Sequence, residues 1–393
     1  MTFFRRTATP SVAFITLLLA SGLTACGSIP NPFDWFGSSS TIKPVELPPI
    51  TPSLTTSLLW TGNIGPAKGA QLSPVLVGAN VYVAAEDGTV GKVDASTGGS
   101  VWRANIGKKI SAGVGSDGNT TAVGTLKGEV IALDESGKAK WTALVTSEVL
   151  AAPVVIDDTV IVRSHDNKIF AFNAADGKRQ WVYQRPAQAL TLRHAAGLSG
   201  VPGTVFVGFP GGKLAALNIA TGVVRWEGTV ALPKGATELE RVADVTSAPI
   251  LLDRDVCAVA FQGRVACFDQ VNGNQVWSRD ASSPAGMGGD NRYVFYTDEK
   301  AAVLALSRAT GASLWKQDKL LYRRLTAPAS SGRAAVAADF QGVVHFFSRE
   351  DGALIGRANT DSSGVFVAPI ALPDGKGVLV QTQNGGLFAL STQ

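Results

Sequence analysis

The chain has 393 residues, with 35 Lys and Arg against 31 Asp and Glu and three His, for a net charge of +4. The first 25 residues carry Arg5, Arg6 and no acid, so the remainder is only +2. A balance this close to neutral excludes an argument from overall charge for nucleic acid or for an anionic membrane patch.

Residues 1–25 read as a secretory signal. Arg5 and Arg6 form a basic start, and residues 12–20 are an uncharged apolar run too short for a membrane span. The run ends in Leu23-Thr24-Ala25-Cys26, which resembles the bacterial lipobox. That resemblance implies cleavage before Cys26, diacylglycerol on its sulfur and acylation of the new amino group. Several acyl chains on one residue exceed what stable anchoring requires. Gly27 follows in place of the aspartate that would resemble an inner-membrane retention signal, so the expected address is the periplasmic face of the outer membrane.

Residues 26–56 are rich in Pro, Ser and Gly and read as a lipidated, flexible tether. Phe33, Trp35 and Phe36 interrupt it, as transient contacts with headgroups or with the folded part. From residue 57 to 393 a single phrase repeats. Its clearest copy is 211–226, GGKLAALNIATGVVRW, and others occupy 87–102, 127–141, 166–181, 262–277 and, shifted by one, 299–315. A degenerate copy at 341–356 has Gly356 in place of tryptophan, and a truncated copy at 384–393 makes eight. A small-residue strand and a β-branched or aromatic strand precede each copy. Short, evenly spaced strands with turns between them predict an all-β architecture. Four strands per repeat of roughly 40 residues predict an eight-bladed β-propeller of four antiparallel strands per blade.

The last unit supplies only three strands, and residues 57–61, SLLWT, form a fourth strand with no partner of its own. Pairing the two would close the ring and remove two exposed edges. Trp60, Trp102, Trp141, Trp181, Trp226, Trp277 and Trp315 share one repeat position. Seven copies at one register point to core packing between blades, each ring near a neighbour's glycine turn, and not to a ligand.

Fourth-to-first-strand linkers share one end of a propeller with the second-to-third turns. Measured from the docking tryptophan to the next first strand, most span 9 to 14 residues, but 181→197 is 16 and 226→249 is 23. These two neighbouring long linkers are candidates for function. The second carries Lys234, Glu238, Glu240, Arg241 and Asp244.

Cys257 and Cys267 flank a turn at Gln262-Gly263. A two-residue turn would set Cys257 opposite Phe268 and point the cysteines to opposite faces. A bulge would shift that register and permit a disulfide, which the periplasm allows.

The phrase ALDxxxGxxxW resembles the docking repeat of quinoprotein-like propellers, shared by the pyrroloquinoline-quinone dehydrogenases and the BamB family of outer-membrane lipoproteins. The lipobox, the length and the ring closure resemble the latter. Residues 189–193, ALTLR, resemble that family's LSLR segment at Leu190, Leu192 and Arg193. Residues 241–246, RVADVT, resemble its RxxDVD segment at Arg241 and Asp244, with Thr246 where the family has a second aspartate. The resemblance implies a non-enzymatic scaffold whose two loops hold the periplasmic POTRA region of the barrel protein BamA, beside other lipoproteins of the same complex. Leu190 and Leu192 would share one side of an extended segment, Arg193 would pair with a partner acid, and Asp244 would accept from a partner base or cap its own turn.

The alternatives are a quinone-dependent enzyme and a propeller that binds nascent outer-membrane strands by edge pairing. Against the enzyme, the chain has no vicinal cysteines and no CxxCH, and His165, His194 and His345 lie in different blades without metal-ligand spacing. No phosphate loop, dinucleotide fingerprint or nucleophile elbow occurs, so neither cofactor nor metal is expected.

Overall fold

Short strands separated by tight turns pair mainly with their sequence neighbours, and this produces one sheet per repeat. A computed structural model describes residues 43–186, 190–193, 196–373 and 375–392. These form eight antiparallel four-stranded sheets arranged as a ring of blades, with no helix. Blades one to seven occupy residues 75–105, 112–144, 154–184, 198–229, 250–281, 287–317 and 329–359. Blade eight combines three C-terminal strands with Leu58–Asn63, which pairs antiparallel with Gly386–Ser391, Trp60 opposite Ala389. The ring is therefore closed by the N-terminal strand. One pairing has no counterpart in the sequence pattern: Gln71–Leu72 runs parallel to Ala112–Ser116 and adds a fifth strand to blade two.

In every blade the register of the fourth strand slips by one residue just before the tryptophan position, as at Val224 and Trp226 opposite Leu217 and Ala216. Such a bulge increases local twist and re-aims a side chain. Here it tips the indole onto the next blade. The Trp181 ring lies against Gly222, whose φ is 70° and whose added Cβ would fall 2.6 Å from the ring. Only glycine tolerates both conditions. The Trp181 indole N–H donates to the Ile219 carbonyl at 2.7 Å. The same contact joins Trp60 to Gly98, Trp102 to Gly137, Trp141 to Gly177, Trp226 to Gly273, Trp277 to Gly311 and Trp315 to Gly352. Trp102 alone among the seven has no acceptor for its buried N–H among the described residues.

The structure corrects the extent of the tether. Residues 43–56 lie along blades six and seven as an ordered strap. The Ser53 and Leu54 N–H groups donate to the Ile355 carbonyl at 3.0 and 2.9 Å. Arg323 donates to the Val45 carbonyl at 3.1 Å, Arg357 to Pro48 at 3.0 Å, and Arg333 to Ser53. Leu54 is 3% exposed and packs with Phe346, Ile355, Val380 and Leu390. This also explains Gly356. A tryptophan there would dock on the third-to-fourth-strand turn of blade eight, but in that blade those strands come from opposite ends of the chain and no such turn exists. Leu54 and Thr56 cover the site instead, 3.5 and 3.2 Å from where a Gly356 Cβ would be. Arginines stitch the strap because a proline-rich segment offers unpaired carbonyls and few donors.

The cysteine register is also corrected. Residues 261–263 form a three-residue connection, so Ala260 bonds to Arg264 and Cys257 faces Cys267 directly. The two are joined by a disulfide in the middle strands of blade five, both fully buried.

Candidate partner-binding site at the long-linker end

The two long linkers, between blades three and four and between blades four and five, meet at one end of the ring. The longer, 230–249, is shaped locally. The Thr237 and Ala236 N–H groups donate to the Glu240 carboxylate at 3.0 and 2.8 Å, and the Glu240 N–H donates back to the Thr237 hydroxyl at 3.3 Å. This reciprocal capping turn orders a segment that is otherwise exposed. These bonds, first those from backbone, hold the Glu240 carboxyl below its usual range. Arg241 folds back on the turn, donating to the Gly235 carbonyl at 3.0 Å and lying 4.0 Å from Glu238.

Asp244 joins the two linkers. Its carboxylate is not presented to solvent: the residue is 5% exposed and accepts from the Leu192 N–H at 2.8 Å and the Gly211 N–H at 3.2 Å. Within the chain the carboxylate thus has an internal role, bridging the two linkers. It is a positioning residue, because a buried carboxylate without donors would be costly and these two N–H groups supply them. Behind it lies Arg163, which donates to the Gly208 carbonyl at 2.6 Å and to Asn167 at 2.8 Å. Burial pushes the Arg163 guanidinium down to about 10, with Asp244 acting in the opposite direction. Thr246, at the position of the family's second aspartate, is fully buried and donates to the Ser283 carbonyl of the next linker at 2.7 Å. A carboxylate there would face that carbonyl, so the threonine serves packing between blades.

Leu190 is 45% exposed, whereas Leu192 is half-buried in a cleft with Leu150, His165, Pro210 and Val245. The two leucines therefore do not present equally. Arg193 stands out from the surface, with its side chain 64% exposed, and already grips Glu148 of the preceding linker through Nε at 3.1 Å and a terminal nitrogen at 2.7 Å. The paired fork holds Glu148 below the usual carboxylate range and raises Arg193. Two further leucines of the long linker, Leu232 and Leu239, are 62% and 74% exposed. The sequence pattern pointed to neither, nor to Glu148 or Arg163. The linker lengths marked the region, but no periodicity exists there to assign a face.

The remaining sequence-derived positions lie apart. Ala189, His194 and Cys26 fall outside the described residues. The seven tryptophans sit at the outer strands and not at this end. His345 is fully buried in blade seven, 3.1 Å from Asp339. Among the described residues, no three His, Cys, Asp or Glu side chains are grouped to hold a metal ion.

The family described as outer membrane protein assembly factor BamB matches residues 86–317. The chain is 47% identical over 346 residues to the protein of that name from Bordetella pertussis, covering 88% of this chain and 89% of that one. It is 34% identical to the Xanthomonas campestris protein, covering 96% of each. Among solved structures, BamB from Moraxella catarrhalis superposes with a TM-score of 0.77 at 26% identity, over 86% of this chain and all of that one. A quinohemoprotein alcohol dehydrogenase from Comamonas testosteroni superposes at 0.67 over 86% of this chain and 76% of its own, with 15% identity, a likeness of fold alone. The proteins that share the sequence are named assembly factors and not enzymes. The chain belongs to the BamB family of outer membrane protein assembly factors.

Proposed function

We propose that the chain is a non-enzymatic scaffold, held by lipid on Cys26 at the periplasmic face of the outer membrane. It binds the POTRA region of a BamA-type barrel protein through the paired linkers of blades three to five. The observation that carries this reading is the Asp244 clasp. It fixes two long loops against each other and leaves Leu190, Arg193, Leu232 and Leu239 facing solvent on a rigid ring. Exposed apolar side chains beside a charged fork, on a surface that needs no reordering, are what an interface anchor requires. Arg193 can offer the other edge of its guanidinium to a partner carboxylate while Glu148 holds Nε and one terminal nitrogen.

The test is calorimetric titration of the full chain with a BamA periplasmic region. Arg193→Ala is expected to weaken binding by about 2–4 kcal/mol. The melting temperature should hardly move, because an exposed ion pair contributes at most about 1 kcal/mol to folding. Unchanged affinity in Leu190→Ala and Arg193→Ala would place the partner elsewhere on the ring. For the anchor, Cys26→Ala should move the protein from the membrane fraction to the soluble periplasm. Retention on membranes after carbonate washing would count against lipid attachment.

A further inference from the structure

On the same end of the ring, next to the loop pair and sharing Arg193 with it at one edge, lies an open groove of about 720 Å³. Its walls are the linker before blade one, the linker between blades one and two, and the second-to-third-strand turns of blades one and two, with Leu150 and Arg193 at one edge. The charges in it are layered. Lys68, Lys108 and Lys109 have side chains 62%, 52% and 81% exposed, whereas the two acids between them, Glu86 and Glu129, are 17% and 16% exposed. Lys109 and Lys68 reach Glu86 at 3.1 and 3.7 Å, and Lys108 reaches Glu129 at 2.6 Å. Lys127 adds a further cation at the rim, and Leu126, 59% exposed, adds an apolar side chain beside it. The groove therefore has a positive rim over a floor of carboxylates.

We propose that this groove is a binding site for an extended, acidic polypeptide segment of a protein partner. Such a segment matches both layers. Its backbone N–H groups can donate to the floor carboxylates, its Glu or Asp side chains can meet the rim lysines, and an apolar residue between them can cover Leu126. A phosphate or lipid headgroup matches only the rim, because on entering it would meet Glu86 and Glu129. A small carboxylate would fill only a fraction of the volume. Arg193 lines one edge of the groove, but the rim lysines lie in the segments flanking blade one and in a turn of blade two, so the site stands whether or not the two long linkers bind a POTRA region.

The experiment uses the full chain carrying Cys26→Ala, so that acyl insertion plays no part, and a dye-labelled peptide of alternating Glu and Val read by fluorescence anisotropy. Binding is expected to weaken with added salt, as contacts between exposed charges do. It should fall by roughly tenfold or more in Lys109→Glu with Lys127→Glu, since reversing two rim charges both removes attraction and adds repulsion. The single variant Lys127→Glu, in an exposed turn, should show a smaller loss with unchanged melting temperature. The proposal is overturned if the peptide does not bind, if its Lys-for-Glu counterpart binds as well, or if the reversed variants bind unchanged. It is equally overturned if vesicles containing an anionic phospholipid bind with the same lysine dependence while the peptide does not.

Discussion

Leu54→Ala removes a side chain that is 3% exposed and packed among Phe346, Ile355, Val380 and Leu390, where blade seven meets blade eight. Truncating a buried leucine costs about 2–5 kcal/mol, more where the surroundings cannot collapse into the gap. Collapse is restricted here. The strap is clipped on one side by Arg333 at the Ser53 carbonyl and on the other by Thr56, whose hydroxyl reaches the Arg357 carbonyl at 3.5 Å. The backbone beneath is held by two bonds to Ile355. The expected cost lies in the upper half of that range, about 3.5–5 kcal/mol. The assay is urea unfolding of the full chain, followed by tryptophan fluorescence. Two truncations sharpen it: removal of residues 1–42 should leave the midpoint unchanged, whereas removal of 1–56 should lower it as Leu54→Ala does. Gly356→Trp, which restores the repeat consensus, should destabilise, because a Cβ there already lies within 3.2 Å of Thr56. A Leu54→Ala change within about 0.5 kcal/mol, the range of ordinary surface substitutions, would refute the strap as part of the fold. Equal midpoints for the two truncations would do the same.

The remaining predictions concern blades five and seven. Replacing Cys257 and Cys267 together by Ala should lower stability by about 2–3 kcal/mol, as expected for a short closed loop, and equal urea midpoints for the variant and the oxidised parent would remove the bridge from the account. In blade seven, burial pushes the His345 imidazole below its usual range; the Asp339 hydrogen bond and charge oppose this, while Arg357 and Arg323 add to it. A base whose folded value is depressed binds its proton more tightly when unfolded. Its stabilising contribution is complete above an unfolded value near 6.5 and is lost as pH falls below it, by at most about 1.4 kcal/mol per pH unit. Asp339 loses its contribution only in stronger acid: burial raises it, but the His345 bond, the Val343 N–H and Arg323 outweigh burial and lower it. Between pH 7 and 5, His345→Gln should therefore flatten the decline in unfolding free energy, and an unaltered slope would assign that decline to other groups.

What the sequence determined by itself was everything that repeats. The tryptophan and the turn glycine recur at seven of the eight blade junctions because those blades meet in the same way, and one local phrase therefore carries both the blade and its docking contact. The orphan strand around Trp60 and the three-stranded last unit together implied closure, since an unpaired edge at each end has one economical partner. The two long linkers were legible as lengths, and so was the end of the ring they share. What only the tertiary structure decided was whatever happens once. Leu54 is a single apolar residue in a proline-rich stretch, and its burial depends on a turn that blade eight lacks. Asp244 looks like any loop acid until Leu192 and Gly211, distant in sequence, bring their N–H groups to it. One extra residue in the connection at 261–263 moves Cys257 from the wrong face to the face of Cys267, because side chains alternate along a strand with a period of two. The layered charges of the groove come from four separate segments. Local patterns encode local geometry and its repetition, whereas single contacts between distant segments leave no period to read.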